Sequence, residues 1–358
     1  MKCKVCNQTF QLFKPLRQKK TIYYCPYCGH ALYLWKRSKT ASLYKCCNRG
    51  CSHRIEKLSK LKSTEKLIQK IAPNHFKINY QYREYHFTPN QTKHASPKLP
   101  KTKVDILKIH KSDNILGLVL AFYISFALSA RKTAYMLNSV FNIPISYQTV
   151  LNYVQAAAFY AHRFNMLHKV NDMGEFLVAD ETYIKIGGKE HYVWFVISAS
   201  EHSVTAYHLS GSRDTRQAVA AIKEAIRTAK PHQKINLVTD GLSSYIEAVQ
   251  LLNKDREQNK IQHIRVIGLE NRDDVSEEYR HFKQIIERLN RTYKFHSRPA
   301  AGFNSFNGAM ALITLFVTYY NFLRPHSSLG HKPPIHIEEL DHIKTIQAKW
   351  VLLISLAL

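Results

Sequence analysis

The segment Phe176–Ile186 reads FLVADETYIKI, and its first four residues form an apolar run that leads directly into Asp180. A second apolar run, Ile235–Thr239, reads INLVT and leads into Asp240. Short apolar runs rich in branched residues predict buried strands, and the ends of neighbouring strands meet at one edge of a sheet. We therefore expect the two carboxylates to converge.

The elements predicted around these runs follow the order of an α/β domain. Three strands joined by short turns come first, and a helix, a buried strand, a helix, a strand and a long helix follow. The predicted strands are Phe176–Ile186, His191–Ser200, Val204–Ser210, Ile235–Thr239 and Ile261–Ile267, and the predicted helices are Asp214–Ala229, Ser243–Leu252 and Glu277–Lys294. This order predicts a ribonuclease-H-like catalytic core over residues 172–335, with a mixed five-stranded sheet and helices.

A third acidic residue, Glu287, lies on the last of these predicted helices. Carboxylate oxygens are the ligands that Mg²⁺ prefers, and two ions roughly 4 Å apart can activate an attacking oxygen and stabilise a leaving one. Asp180, Asp240 and Glu287 are therefore predicted to bind two Mg²⁺ or Mn²⁺ ions and to catalyse phosphodiester cleavage and joining. Glu181 is left out, because the residue after Asp180 on a strand points to the opposite face.

Basic residues recur beside Glu287 on the predicted helix. Lys283, Glu287, Arg291 and Lys294 follow one another at spacings of four, four and three positions, which places them on one helix face. A carboxylate flanked by cations in this way is unusual for a solvated helix surface. We expect this face to contact DNA.

The charge of the chain is unevenly distributed. The 358 residues carry 52 Lys and Arg against 26 Asp and Glu, a net charge of +26. Residues 1–111 hold 25 of the basic and 4 of the acidic residues, so they account for +21 of that charge. Solubility does not require such segregation. The pattern predicts an N-terminal region that binds a polyanion, followed by a remainder of the chain in which positive and negative charges nearly balance.

All seven cysteines lie within the first 51 residues. Cys25 and Cys28 form one pair, and Cys46 and Cys51 form a second pair 17 residues later. This is the spacing of two knuckles that supply four thiolates to one tetrahedral zinc ion. The residues between the pairs alternate as two short strands do, so residues 1–55 are predicted to form a zinc ribbon that folds with its metal.

Other ligand sets are compatible with the cysteine spacing. Cys47 could replace Cys46, and Cys3 and Cys6 could pair with the first knuckle instead. Seven cysteines cannot fill two four-cysteine sites, so a second site would need His30 or His53.

Two further regions lie between the ribbon and the catalytic core. Residues 56–111 are rich in lysine and proline, which predicts a basic linker that contains one strand near Tyr80–Phe87. Residues 112–166 are predicted to form a helix-turn-helix region, with helices Ile115–Ser129, Arg131–Val140 and Tyr147–Ala158. The residues predicted to face the major groove are Ser146, Gln148, Thr149 and Asn152. An ordinary helical bundle is the alternative.

The apolar stretches predict a cytoplasmic protein, and its predicted DNA binding would make it nucleoid-associated. The stretch Ile115–Ala130 has 16 residues, fewer than the roughly 20 that cross a bilayer, so it predicts a buried helix. The first 30 residues lack the apolar core of a secretory signal. In the C-terminal tail, residues 336–358, the apolar end Val351–Leu358 fits either a docked segment or a truncated end.

Four stretches of the chain carry a resemblance to a known family. They are 178–183 (VADETY), 238–241 (VTDG), 286–294 (IERLNRTYK) and 320–330 (YNFLRPHSSLG). They resemble the DDE transposases of bacterial and archaeal insertion sequences, which are relatives of retroviral integrases. In that family a basic residue commonly follows the third carboxylate by seven positions, where Lys294 stands here. The 46 residues between Asp240 and Glu287 exceed the usual spacing, which leaves Glu270, Glu277 and Glu278 as alternative third ligands.

The resemblance implies a metal-binding triad of Asp180, Asp240 and Glu287, with Arg291 and Lys294 on the terminal DNA. It implies hydrolysis at the end of a mobile element, which frees a 3′-hydroxyl, and then attack of that hydroxyl on target DNA. A dimer or larger assembly would hold the two element ends. Two alternatives remain: a ribonuclease-H-like nuclease without strand transfer, and an inactive DNA-binding regulator derived from a transposase.

Overall fold

The computed structural model describes residues 23–72, 76–86, 100–101, 106, 112–170, 173–230, 233–254, 256, 259–267 and 274–358. Cys3, Cys6 and Glu270 lie outside these residues. The chain divides into two compact units between residues 88 and 89, and each unit has its own sheet.

The first unit contains a three-stranded antiparallel sheet. Strands β1 (Tyr33–Arg37), β2 (Ala41–Lys45) and β3 (Gln81–Tyr85) lie in the order β1-β2-β3, with helices α1 (Ser52–Ser59) and α2 (Ser63–Ile71) between the second and third strands. The two short strands predicted between the cysteine pairs are confirmed as β1 and β2, which pair antiparallel. The strand predicted inside the basic linker pairs with β2, so the ribbon sheet extends beyond residue 55.

The second unit contains a mixed five-stranded sheet in the order β6-β5-β4-β7-β8. The strands are β4 (Phe176–Ile186), β5 (Lys189–Ser198), β6 (Val204–Ser210), β7 (Asn236–Thr239) and β8 (Gln262–Arg265). The first three are antiparallel, and β7 and β8 run parallel to β4. This is the strand order of a ribonuclease-H-like core, as predicted.

Two neighbouring residues of β5 show how the sheet is covered. The ring of Trp194 contacts Tyr245 on one face, and the ring of Phe195 contacts Tyr293 and Phe316 on the other. The first face is covered by helices α6 (Thr215–Ala225) and α7 (Ser243–Lys254), and the second by α8 (Asp274–Ser297) and α9 (Phe306–Thr318). Side chains alternate along a strand, so Trp194 and Phe195 point to opposite faces of the sheet. Both faces carry apolar side chains, and helices bury both.

The region predicted as a helix-turn-helix is helical. It contains α3 (Asp113–Leu120), which continues as a π-helical turn over Ala121–Ser125, then α4 (Ala130–Phe141) and α5 (Tyr147–Leu167). Helix α4 ends at Asn142, which adopts a left-handed conformation, and the Ser146 hydroxyl accepts a hydrogen bond from Thr149 N–H to cap α5. The last helix is longer than predicted because its second half packs on α9 and on the π-helical turn that follows it, where Phe164 contacts Phe322.

The C-terminal tail forms a docked helix, α10 (Ile346–Ser355). Trp350 is fully buried, and its indole N–H donates to Ser125 Oγ at 2.9 Å. A Cβ atom at Gly117 would collide with the carbonyl oxygen of Gln347, so the glycine allows α3 and α10 to lie close together. The apolar end of the chain is thus docked on the helical region.

One helix within the described part of the chain, 306–323, is long and apolar enough to cross a membrane. Of this segment, 78% is buried inside the second unit, between the sheet and the helical region. Its apolar character is accounted for by its position in the core.

Candidate active site

Asp180 and Asp240 lie side by side because their strands are parallel neighbours. The paired positions run from Phe176 opposite Asn236 to Val178 opposite Val238, and two more residues along each chain lead to the two aspartates. Carboxylate oxygens of Asp180, Glu181 and Asp240 all lie within 4.8 Å of one another. The predicted convergence of the two aspartates is therefore present in the structure.

Glu181 belongs to this carboxylate cluster, which corrects its exclusion on the basis of strand alternation. Asp180 lies opposite Phe195 and Glu181 lies opposite Trp194, so the two side chains do start from opposite faces of the sheet. However, β7 ends at Thr239 while β4 continues to Ile186. The long Glu181 side chain can therefore reach past the end of the shorter strand.

A tight turn orients Asp240. The backbone N–H of Leu242 donates to Asp240 Oδ1 at 3.0 Å, and Gly241 between them has a φ of +88°. A Cβ atom on Gly241 would lie 3.2 Å from Ile267 Cγ1. Glycine is therefore required here both for its positive φ and for space.

Asp180 is held from the opposite side by the long helix α8. Asn290, which is 9% exposed, donates from Nδ2 to Asp180 Oδ2 at 2.9 Å. Burial raises the pKa of Asp180 to about 7, with smaller contributions from the negative charges of Glu181 and Asp240, and Lys283 on α8 opposes the rise. Burial, more than the neighbouring negative charges, therefore disfavours the ionised form of Asp180.

Glu287 is exposed on α8 and is not part of the cluster of three carboxylates among the described residues. It lies four residues after Lys283 and three before Asn290, so it shares the helix face that meets Asp180. Glu277 and Glu278 are also exposed on α8, but they precede Asn290 by 13 and 12 residues, or about 20 Å at 1.5 Å per residue. This spacing favours Glu287 as the third ligand.

Glu181 is nearly enclosed, with a side chain that is 4% exposed. Its Oε1 atom forms an ion pair with Arg213, and its Oε2 atom accepts a hydrogen bond of 3.0 Å from the Tyr245 hydroxyl. Burial, and then the nearby carboxylates, raise the pKa of Tyr245 well above its ordinary value, so this hydroxyl remains a donor.

The residues predicted to bind DNA occupy two parts of the second unit. Arg291 and Lys294 are exposed on α8, and Lys294 Nζ lies 5.3 Å from the centre of the Tyr183 ring. At the start of α5, Ser146 caps the helix and the Gln148 side-chain amide donates to Asn152 Oδ1 at 3.1 Å. Thr149, the fourth predicted residue of this group, supplies the capped backbone N–H. DNA contact at both places stays a prediction.

Four of the five cysteines that the structure describes form a cluster in the first unit. Cys25, Cys28, Cys46 and Cys51 place their sulfur atoms within 4.8 Å of one another. The distance from Cys25 Sγ to Cys51 Sγ is 3.8 Å, and from Cys28 Sγ to Cys46 Sγ it is 3.6 Å. Four thiolates bound at about 2.3 Å to one tetrahedral zinc would lie about 3.8 Å apart. The predicted ligand set therefore fits zinc in both chemistry and spacing.

The alternative ligands near this cluster have other positions. Cys47 is exposed, and Cys46 rather than Cys47 is the buried member of the group. His30 Nδ1 hydrogen-bonds to the carbonyl oxygen of Cys28, and the ring of His53 lies against Tyr27. The backbone N–H of His30 lowers the pKa of the Cys28 thiol to about 6, which favours the thiolate that a metal requires.

Arg213, Tyr245 and Asn290 are contacts of the carboxylate cluster that the sequence does not predict. The helix spacing could have predicted Asn290, because it lies three residues after Glu287 and therefore on the same helix face. Arg213 and Tyr245 lie in a loop and on a separate helix, and no local pattern connects them to Glu181.

One family model and several solved structures are similar to parts of this chain. Residues 175–316 match the family of IS240-type transposases, whose model is described as a DDE domain. No curated protein matches the chain. Among solved structures, the chain is similar to the HTLV-2 integrase catalytic core domain in complex with magnesium (trimeric form), at 14% identity over 44% of this chain and 92% of that chain, with a TM-score of 0.28. It is also similar to a simian T-cell lymphotropic virus intasome in complex with PP2A regulatory subunit B56 gamma, at 13% identity over 65% and 75% of the two chains, with a TM-score of 0.33.

Scores of this size carry no inference about the fold, which rests on the strand order. The family match covers both aspartates, Glu287 and the helix that bears it. Residues 175–316 therefore form a DDE domain similar to that of IS240-type transposases.

Proposed function

We propose that this protein binds the ends of an insertion element and catalyses metal-dependent DNA strand cleavage followed by strand transfer. The observation that carries the proposal is the meeting of Asp180 and Asp240 at the end of two parallel strands, inside a DDE domain. The helix face that bears Glu287 lies against the same point.

Asp180, Asp240 and Glu287 would hold two Mg²⁺ or Mn²⁺ ions. Carboxylate oxygens are the ligands that these ions prefer. A bound cation would also reduce the repulsion between the carboxylates that lie close together at the site. Bound cations would activate the attacking oxygen and stabilise the leaving oxygen of the phosphodiester.

The remaining residues of the site would hold the reacting groups in place. Asn290 fixes the orientation of the Asp180 carboxylate, and the Leu242 N–H fixes that of Asp240. Lys283, Arg291 and Lys294 would bind DNA phosphates along the helix face that carries Glu287, so that the scissile bond lies over the carboxylates. In the first step water would attack the bond, and in the second step the freed 3′-hydroxyl would attack target DNA.

The other modules would select the DNA site. In the first unit, a structural Zn²⁺ on the four cysteines would stabilise the ribbon, and its basic residues would contact the DNA backbone. In the second unit, Ser146, Gln148, Thr149 and Asn152 would reach base edges from the start of α5. Two element ends must be held at once, so we also propose a homodimer or larger assembly that acts on DNA in the cytoplasm.

The test is cleavage and joining on a labelled duplex that carries the element's own terminal repeat, with Mg²⁺ or Mn²⁺. We expect joined products with the wild type and none with Asp180→Asn or Glu287→Gln. Glu278→Gln is the matched control, because Glu278 is exposed on the same helix but lies distant from Asn290. It should retain activity.

Two results would replace the proposal by its alternatives. Cleavage without joined products would indicate a ribonuclease-H-like nuclease. Specific DNA binding without cleavage in either metal would indicate an inactive regulator.

A further inference from the structure

We propose that Glu181 is an additional ligand of the metal site, and that Arg213 is a built-in counter-ion which a divalent cation displaces from it. The inference rests on the proposed function, because it assumes that Asp180 and Asp240 bind metal. Glu181 would add a carboxylate from the opposite face of the sheet. Arg213 would neutralise this carboxylate before the metal binds.

Glu181 lies close to both aspartates. A carboxylate oxygen of this residue lies within 4.8 Å of oxygens on both Asp180 and Asp240. Three carboxylates at this separation repel one another strongly where water is largely excluded, and Glu181 is only 4% exposed. A cation shared by all three would turn this repulsion into attraction.

Each carboxylate oxygen of Glu181 has its own partner. Tyr245, which is fully buried, donates to one oxygen, and Arg213 pairs with the other. A carboxylate oxygen can accept more than one partner, so the Tyr245 hydrogen bond can persist when a cation binds. Tyr245 therefore aims the Glu181 carboxylate at the two aspartates and keeps it there.

Arg213 is exposed enough to leave its ion pair with Glu181. Its side chain is 41% exposed, whereas that of Glu181 is buried. The guanidinium lies 5.5 Å from the centre of the Tyr192 ring, an aromatic surface on which it can remain after it loses the ion pair. Arg213 thus occupies the place of a positive charge that can be exchanged, and once released it is available to a DNA phosphate.

A purely structural ion pair would behave differently. In that case Glu181 and Arg213 would stabilise the fold together, and removing either would leave metal affinity unchanged. If Arg213 competes with the cation, the two substitutions have opposite effects. Removing the carboxylate weakens metal binding, and removing the guanidinium strengthens it.

The experiment measures Mn²⁺ affinity of the full-length protein without DNA, by electron paramagnetic resonance and calorimetry. We expect Glu181→Gln to weaken binding about tenfold or more, within the range seen when a residue that supports a metal site is lost. Arg213→Gln should tighten binding several-fold. Glu190→Gln, at an exposed position of β5, is the control and should match the wild type.

Arg213→Lys covers the case in which Arg213→Gln does not fold. It retains the positive charge, so its Mn²⁺ affinity should stay close to that of the wild type. Unchanged affinity in Glu181→Gln, or weaker binding in Arg213→Gln, would overturn the inference, as would a wild type that binds no Mn²⁺.

Failure of the proposed function has a different signature. A wild type that binds Mn²⁺ with the expected pattern among variants but does not cleave DNA would contradict the function and leave the role of Glu181 intact. If the wild type cleaves and joins DNA but neither substitution changes the Mn²⁺ affinity, the proposed function is supported and the role of Glu181 is contradicted.

Discussion

Asn290 donates a hydrogen bond of 2.9 Å to Oδ2 of Asp180, and this contact joins residues 110 positions apart in the chain. It attaches helix α8 to strand β4 at the carboxylate that begins the DDE motif. Because Glu287 lies one turn before Asn290 on the same helix, the contact also determines which part of the site Glu287 can reach.

Replacing Asn290 by alanine should lower the rate of strand cleavage about 10- to 100-fold, because residues that orient a metal ligand typically have effects of this size. The Mn²⁺ concentration needed for half-maximal cleavage should rise as well. Gln284→Ala, at an exposed position of the same helix, is the control. Loss of thermal stability with unchanged Mn²⁺ dependence would indicate that Asn290 only stabilises the helix packing.

Gly241→Ala should disrupt the turn that orients Asp240. A residue with a Cβ atom is strained at a φ of +88°, and it would also press on Ile267, so we expect a loss of about 1–3 kcal/mol in stability together with a strong loss of cleavage. Gly188→Ala is a matched control, because Gly188 has a φ of +78° but no neighbouring atom within 4 Å of the added Cβ. It should lose stability and retain activity, and equal loss of cleavage in both variants would contradict the role of the turn.

The cysteine cluster should bind one zinc ion through Cys46 and not through its neighbour Cys47. Cys46→Ser should lose zinc, as measured by atomic absorption, and should lose the folded ribbon, as measured by hydrogen exchange of the first unit. Cys47→Ser should retain both, because Cys47 is exposed and lies outside the four-sulfur cluster. Zinc retained by Cys46→Ser would show that a different set of ligands binds the metal.

Asp180 should make stability depend on pH when no Mg²⁺ or Mn²⁺ is added. Its pKa rises from 3.8 to about 7 in the folded protein, so the unfolded chain loses this proton first. The stabilisation relative to Asp180→Asn is therefore complete below about pH 4 and is lost as the pH rises to about 7, by up to about 4 kcal/mol.

Urea unfolding of both proteins between pH 4 and pH 8 measures this difference. Added Mn²⁺ should reduce it, because a cation favours the ionised carboxylate. A difference between the two proteins that does not change with pH would contradict the raised pKa.

Trp350→Ala should destabilise the second unit by about 3–5 kcal/mol, the usual loss for a buried aromatic side chain. The residue is fully buried and donates to Ser125, so it connects the C-terminal helix to the helical region. Chemical denaturation measures the loss. Leu356→Ala is a control on the same segment, since Leu356 is 39% exposed and should have a small effect.

The elements that the sequence predicts best are those with a strong local pattern. Strands Phe176–Ile186 and Val204–Ser210 have the predicted bounds, and both are flanked by short turns or loops that limit them in the sequence. Helix α5 continues to Leu167 instead of ending near Ala158, since its second half is stabilised by α9, which is distant in sequence. The third ribbon strand was predicted as a strand, but its pairing with β2 depends on a contact across about 40 residues.

The apolar runs before Asp180 and Asp240 by themselves determined two buried strands and hence the meeting of two carboxylates. The cysteine spacing predicted the cluster of Cys25, Cys28, Cys46 and Cys51, and the structure decided between Cys46 and Cys47. Only the tertiary structure decided that Glu181 joins the aspartates and that Arg213, Tyr245 and Asn290 hold the cluster. The reason is physical: alternation along a strand specifies the face from which a side chain starts. The length of the neighbouring strand and the docking of distant elements decide where that side chain ends.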